Sequence, residues 1–141
     1  MYLKVMNTVS LLEIGSKKGA KMKERRKYIR VKARLYVGYK VLNISKMEGH
    51  CWSRDISVAG IGVIIKEKLS PATQLELRIG LQDKLKPLIV TARVFWQVEN
   101  PQAVEEEKES YRTGMIFLDL DEVGKNRIDN FTSNFLKRAN K

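Results

Sequence analysis

The sequence predicts a mainly β protein, a six-stranded antiparallel barrel followed by one C-terminal helix. Six segments show either the two-residue alternation of apolar and polar side chains or the short apolar run that is typical of strands. Turn residues separate these segments, and none is separated from the next by the long helix that parallel strands need as a connection. The chain has 141 residues, 43% of them hydrophobic, which suits one domain of this kind.

The first two strands are predicted to form a hairpin. Apolar and polar residues alternate across 31–42, residues 46–49 have the composition of a turn, and 50–56 returns as the second strand. The remaining strands are expected at 60–66, 75–81, 90–98 and 111–118, with an exposed loop at 100–109. In the fifth strand, alternation assigns one face to Val90, Ala92, Val94, Trp96 and Val98.

The C-terminal helix is predicted over 121–138. Its apolar stripe has helical spacing and consists of Ile128, Phe131, Thr132, Phe135 and Leu136. Asp121 is placed to cap the first turn, since a side-chain carboxylate there can accept from a free backbone N–H. The stripe is expected to close one side or mouth of the sheet.

Three arginines, Arg25, Arg26 and Arg30, precede the first strand. Arginine is planar, permanently charged and able to donate two parallel hydrogen bonds. It therefore suits a phosphate, or the O6 and N7 acceptors of guanine, better than lysine does. A guanine dinucleotide offers both kinds of target.

A second group, Asp55, Ser57 and Gly60, follows the second strand. The carboxylate of Asp55 can accept hydrogen bonds from N1 and N2 of guanine, and the hydroxyl of Ser57 can donate or accept. Gly60 would permit a positive φ and a close approach of the backbone to a ligand. This group therefore supplies the acceptors that arginine lacks.

In this order and between these strands, the two groups resemble the paired signature of the PilZ domain family, RxxxR followed by D/NxSxxG. Arg26 and Arg30 fit the first motif, and Asp55, Ser57 and Gly60 fit the second. The resemblance implies a PilZ-type barrel and a non-enzymatic bacterial receptor for cyclic di-GMP. It further implies that the arginines hold phosphates and outer guanine edges, while the Asp and Ser reach a guanine edge from the barrel surface.

Arg25 directly precedes the first motif, as in some PilZ domains that bind two stacked ligand molecules. The resemblance therefore implies that two cyclic di-GMP molecules bind per protein. It implies no other cofactor, no catalytic residue and no metal, and it implies signalling to a downstream protein partner that the sequence does not identify.

The net charge of +11 is concentrated at the N-terminus, where residues 1–30 carry nine Lys or Arg and two Glu, a net +7. We therefore expect a flexible basic arm over 1–23 and the barrel with its helix over 24–141. A hairpin turn centred on 47–48 would pair Asp55 with Lys40, about 30 Å of strand away from Arg30. The arm is accordingly expected to be loosely ordered without ligand and to wrap over the barrel when it binds.

Other functional classes find little support in the sequence. One Cys and one His leave no zinc pattern or internal disulfide, and the interrupted N-terminal segment suits neither a signal peptide nor a membrane span. A cytoplasmic protein is expected. The acidic group Asp119, Asp121 and Glu122 is better explained by helix capping than by a metal. Trp52 and Trp96 are expected to pack in the core or at its rim, with base stacking as the alternative.

Two further functions stay open beside the receptor. A non-specific nucleic-acid-binding barrel would explain the basic charge but not the spacing of Asp55 and Ser57, so nucleic acid is not the expected partner. A PilZ-like interaction module without ligand would not explain why every motif position is intact.

Overall fold

The computed structural model describes residues 28–100 and 109–139. These residues form six antiparallel strands and one helix. The strands are β1 (Tyr36–Val41), β2 (Glu48–Ile56), β3 (Gly60–Ile65), β4 (Gln74–Ile79), β5 (Leu88–Glu99) and β6 (Tyr111–Phe117), and the helix is α1 (Glu122–Ala139). The strand order β1-β2-β3-β6-β5-β4 closes through pairing of β4 with β1. The predicted fold class is confirmed.

Side chains from the strands fill the barrel, because alternate residues of a strand point inward. The largest fully buried side chains are Tyr39, Leu35, Ile56, Leu75, Leu77, Ile79, Ile128, Val37, Val41 and Val63. Burial of a Val, Leu or Ile side chain contributes about 1.5–3 kcal/mol. The core therefore fixes which residues of each strand face outward, where a binding site can form.

The β1–β2 hairpin has a different register from the predicted one. Tyr36 pairs with Trp52 and Lys40 pairs with Glu48. The chain reverses through 42–47, where Asn43 and Lys46 adopt left-handed φ angles of 69° and 67°. The predicted pairing of Asp55 with Lys40 is therefore wrong, because the turn is longer and lies earlier than 47–48. The distance that separated the two motifs in the prediction does not exist in the fold.

Strand β1 also begins five residues later than predicted. Residues 31–35 keep the alternating burial, but the side chain of Ser53 replaces part of the strand ladder there. Its hydroxyl accepts from the N–H of Leu35 at 2.8 Å and donates to the carbonyl of Ala33 at 2.6 Å. One further bridge joins Val31 to Ile56. This segment is thus held along β2 as an extended strap.

Strand β5 contains a bulge between Val94 and Trp96 where it pairs with β6. The extra residue reverses the alternation, so Trp96 and Val98 face outward and are 40% and 49% exposed. Their predicted place on the same face as Val90 and Val94 is wrong for this reason. The bulge brings an indole ring to the outer surface of the barrel.

Helix α1 begins after Asp121, whose carboxylate accepts from the N–H of Gly124 at 2.8 Å, so the predicted cap is confirmed. Ile128 and Thr132 are buried, and Ile128 joins the barrel core. Arg127 donates two hydrogen bonds to Asp83, at 2.9 and 3.0 Å, and a third to the carbonyl of Lys86. The helix is therefore anchored to the β4–β5 connection. Over the described ranges, no helix has the length and apolar character needed to span a membrane.

Candidate functional site

Arg30 and Asp55, one from each motif, lie side by side on the barrel surface. Nη1 of Arg30 is 3.8 Å from Oδ2 of Asp55, and the side chains are 34% and 31% exposed. Val31 and Ile56, the next residue of each, exchange two backbone hydrogen bonds of 3.0 Å. This bridge fixes the neighbouring backbone and so holds Arg30 beside Asp55.

The charge of Arg30 is partly shielded from solvent. Burial lowers the pKa of Arg30, while the carboxylate of Asp55 opposes that shift. The guanidinium nevertheless keeps its charge, because arginine is not deprotonated in proteins. The site therefore presents a cation and an anion a few ångströms apart, a combination suited to a ligand with both acceptors and donors.

A row of four outward-facing residues crosses the sheet beside this pair. Strand register places Asp55 next to Gly62, Gly62 next to Gly114, and Gly114 next to Trp96. A Cβ on Gly62 would lie 2.7 Å from Oδ1 of Asp55, and a Cβ on Gly114 would lie 2.3 Å from Nε1 of Trp96. The two glycines thus form a floor without side chains, on which the carboxylate of Asp55 lies over Gly62 and the indole of Trp96 lies over Gly114.

This floor belongs to a shallow depression of about 200 Å³ that both Arg30 and Ser57 also line. A β-bulge shifts the β2–β3 register between Ser53 and Asp55. Together with the bulge in β5, it interrupts regular alternation at both ends of the row. Such bulges redirect side chains locally, which explains why a carboxylate and a tryptophan flank the floor.

Ser57 lies in the turn between β2 and β3 and is 8% exposed. Its Oγ accepts from the N–H of Ala59 at 3.1 Å, and its own N–H donates to the carbonyl of Gly60 at 2.9 Å. Because the hydroxyl is used here as an acceptor, its proton is available for an additional acceptor. The hydroxyl thus combines a role in the turn with donor capacity.

Gly60 does not adopt the predicted positive φ, and its lack of a side chain is needed for packing against β6. No glycine among the described residues has a positive φ. A Cβ on Gly60 would lie 2.1 Å from the carbonyl oxygen of Met115. The close approach at this residue is therefore between β3 and β6, and the glycine shapes the sheet next to the depression.

Other predicted residues are placed less directly. Arg25 and Arg26 lie outside the described residues. His50 stacks on Tyr36, with ring centroids 5.0 Å apart, and burial raises the pKa of Cys51 to about 12. Asp119 accepts from the N–H of Thr91 at 2.7 Å. These contacts give a structural role to Asp119 and leave His50 in an aromatic cluster.

The model of the PilZ domain matches residues 24–134, most of the chain and the whole of the site just described. The chain belongs to the PilZ domain family. The comparison with curated proteins finds no match.

Solved PilZ structures share this fold. The inhibitor of motility MotI/DgrA of Bacillus subtilis superposes with a TM-score of 0.67 at 20% identity, covering 83% of this chain and 54% of that chain. The PilZ domain of Escherichia coli YcgR, solved with c-di-GMP, gives 0.63 at 14% identity, covering 82% and 94%. The c-di-GMP complex of K. pneumonia MrkH gives 0.63 at 15% identity, covering 83% and 54%. This PilZ chain thus spans about half the length of MotI and of MrkH.

The sequence predictions omit the two floor glycines of this PilZ domain. Gly62 and Gly114 occupy outward positions of strands whose inward positions are mostly apolar, Ile61, Val63 and Ile65 in β3, and Met115 and Phe117 beside Thr113 in β6. A glycine inside a strand weakens it and often marks a close approach of another group. That signal was present in the sequence, but the pairing of the two glycines with each other requires the β3–β6 register.

Proposed function

We propose that this PilZ domain protein is a receptor for cyclic di-GMP. The observation that carries the proposal is the ion pair of Arg30 and Asp55 at the end of a glycine floor. The solved YcgR and MrkH structures named above contain c-di-GMP, and this chain shares their fold. This surface complements a flat purine, an anionic phosphate and the edge of a guanine that carries hydrogen-bond donors.

Each residue of the site has a chemical role in the proposal. Arg30 donates to a phosphate or to O6 and N7 of guanine, and Asp55 accepts from N1 and N2 of guanine. The hydroxyl of Ser57 donates its unused proton to the ligand. Gly62 leaves room for the carboxylate of Asp55 close to the sheet, and the indole of Trp96, which lies over Gly114, offers a stacking surface for a base.

Arg25 and Arg26 complete the proposed site from the N-terminal side. We assign Arg26 to the ligand phosphates and Arg25 to a second, stacked ligand molecule, so that two cyclic di-GMP molecules bind per protein. Contacts between these arginines and the ligand would reposition the basic arm and expose a different surface to a downstream protein. In this proposal the chain signals by binding and carries out no catalysis.

Titration calorimetry with cyclic di-GMP tests the proposal. Wild-type protein should bind with a stoichiometry near two. Replacement of Arg30 by Ala should weaken binding about 10- to 100-fold, because hydrogen bonds from a charged donor contribute about 1.5–3 kcal/mol. Arg25→Ala should lower the stoichiometry to one and leave the first molecule bound.

The matched control is Lys125→Ala, which removes an exposed cation of α1 that interacts with Glu122. This variant should bind like wild type. Absence of heat at tens of micromolar ligand would reject the receptor function and favour an interaction module without ligand. Unfolding of Arg30→Ala, seen by circular dichroism, would mean that this arginine serves the fold instead.

A further inference from the structure

A second surface on the barrel lies apart from the floor glycines and combines cations with aromatic rings. It is a groove of about 720 Å³ over the strap 31–35 and the outer side of β2 and β3. Its charged and aromatic lining consists of Lys32, Arg34, Arg54, Lys66, His50, Trp52 and Tyr39. None of the described residues that line it is Asp or Glu. We call this surface the basic groove.

His50 and Trp52 are the exposed rings of the basic groove, and Tyr36 lies beside the groove, paired with Trp52 across β1 and β2. Tyr36 stacks on His50 with an interplanar angle of 3° and meets Trp52 at a centroid distance of 5.1 Å. The guanidinium of Arg34 lies 4.7 Å from the ring centroid of Trp52. Tyr36 and Trp52 are still 52% and 45% exposed. The rings are thus held in place by one another and present apolar surface to solvent.

Two arginines extend the positive charge beyond these rings. Register places Ile64 between Trp52 and Arg112, so Arg112 lies on the same face. Nε of Arg112 is the one buried side-chain nitrogen or oxygen of the described residues without a hydrogen-bond partner. Burial lowers the pKa of Arg112, and the positive charge of Arg54 lowers it further. An anion bound between Arg54 and Arg112 would reduce the repulsion of the two guanidiniums.

We propose that the basic groove binds single-stranded nucleic acid. Bases would stack on Trp52 and Tyr36, and phosphates would contact the surrounding arginines and lysines, as on other barrel surfaces that bind single strands. The described lining has four cations, Lys32, Arg34, Arg54 and Lys66, and no carboxylate, a charge that matches the phosphates of a nucleic acid strand.

This second activity differs from binding of the cyclic dinucleotide. Arg54 immediately precedes Asp55 on β2, so the two surfaces are neighbours. Their central residues are separate, however, because Trp52 and Arg34 line the basic groove and not the depression, whereas Arg30 and Trp96 line the depression and not the groove. One activity can therefore be removed without the other.

Fluorescence anisotropy of a labelled oligothymidine of about 12 nucleotides tests the proposal on the full chain. Trp52→Leu should weaken binding roughly tenfold, since stacking contributes about 1–3 kcal/mol per base. The double variant Arg54→Gln, Arg112→Gln should weaken it as well. It should also make the dependence of binding on salt less steep. The plot of the logarithm of the binding constant against the logarithm of the salt concentration should lose about 0.7 of its negative slope for each phosphate that the variant no longer neutralises.

Controls separate the groove from the general positive charge of the chain. Lys125→Ala with Lys137→Ala removes two exposed cations of α1 and should change the affinity much less than the double arginine variant. Arg30→Ala should retain oligothymidine binding, and Trp52→Leu should retain cyclic di-GMP binding. Circular dichroism checks that each variant is folded. If Trp52→Leu does not fold, Arg34→Gln gives a second test of the groove.

Several outcomes would overturn the proposal. Equal affinity for a duplex of the same length, or no effect of Trp52→Leu, would mean that bases do not stack in the groove. Equal binding of polyglutamate would point to an acidic protein segment as the ligand. Loss of cyclic di-GMP binding in Trp52→Leu would make the groove part of the dinucleotide site.

Discussion

At the scale of single residues, the three glycines around the site have different functions. Gly60 lies against a backbone carbonyl of β6, whereas Gly62 lies against the carboxylate of Asp55. A backbone atom cannot move without distorting the sheet, while a partly exposed carboxylate can rotate away. The two positions therefore separate the stability of the barrel from the geometry of the ligand site.

Substitution of each glycine by alanine should separate the effect on stability from the effect on the ligand site. Gly60→Ala should lower the free energy of unfolding by about 1–3 kcal/mol, the range seen when atoms are forced into a packed structure. Gly62→Ala should cost less stability but displace Asp55, and so weaken cyclic di-GMP binding. Urea denaturation and calorimetry measure the two effects. Equal loss of stability in both variants would show that Gly62 is also a packing position.

At the scale of elements, the sequence was sufficient for the strands and the helix but not for their register. The alternation of apolar residues reports burial, so it located all six strands, and helical spacing with Asp121 located α1. Burial does not report how long a turn is, which is why the hairpin pairing was wrong. Alternation also assumes an uninterrupted ladder, and the bulge before Trp96 broke that assumption.

The same limits apply to the candidate site. The motif pattern identified Arg30 and Asp55, and the structure brings them together. Gly114 and the outward orientation of Trp96 depend on pairing across β3, β6 and β5, which no local pattern specifies. The charge of the N-terminal segment was readable from composition, but composition does not reveal that Arg34 and Trp52 share a face with Arg112.

The contact between α1 and the β4–β5 connection gives a prediction at the same scale. Hydrogen bonds from Arg127 lower the pKa of Asp83. An acid with a lowered folded-state pKa stabilises the protein above its unfolded pKa and loses this effect as pH falls through the folded value. Asp83→Asn should therefore cost up to about 1 kcal/mol at pH 7, as for a partly exposed pair. The cost should shrink below about pH 4.

Urea unfolding of wild type and Asp83→Asn at several pH values measures this difference. Glu76→Gln is the control, because its pair with Arg78 is longer, 3.6 Å, and more exposed. That substitution should change stability very little at any pH. A cost for Asp83→Asn that stays constant down to acid pH would show that the contact acts through packing and not through charge.

At the scale of the whole molecule, the ligand site depends on the closed barrel. The row from Asp55 to Trp96 takes its residues from four strands, β2, β3, β6 and β5, so no hairpin alone contains it. Arg30 reaches the row only because the strap is bonded along β2. Unfolding therefore destroys the site, and a ligand that binds only the folded chain must stabilise it.

Each bound molecule of cyclic di-GMP at 100 times its dissociation constant should thus add about 2.7 kcal/mol to the stability, and the first molecule alone should raise the Tm of a domain of this size by about 10 °C. At a fixed ligand concentration the shift should be smaller at high salt, because the side chain of Arg30, the proposed phosphate contact, is 34% exposed and its charge is screened. Arg30→Ala should largely abolish the shift, while Trp52→Leu should retain it. Differential scanning calorimetry measures these values. A full shift in Arg30→Ala would place the ligand elsewhere, whereas a shift abolished only in Trp52→Leu would assign the dinucleotide to the basic groove.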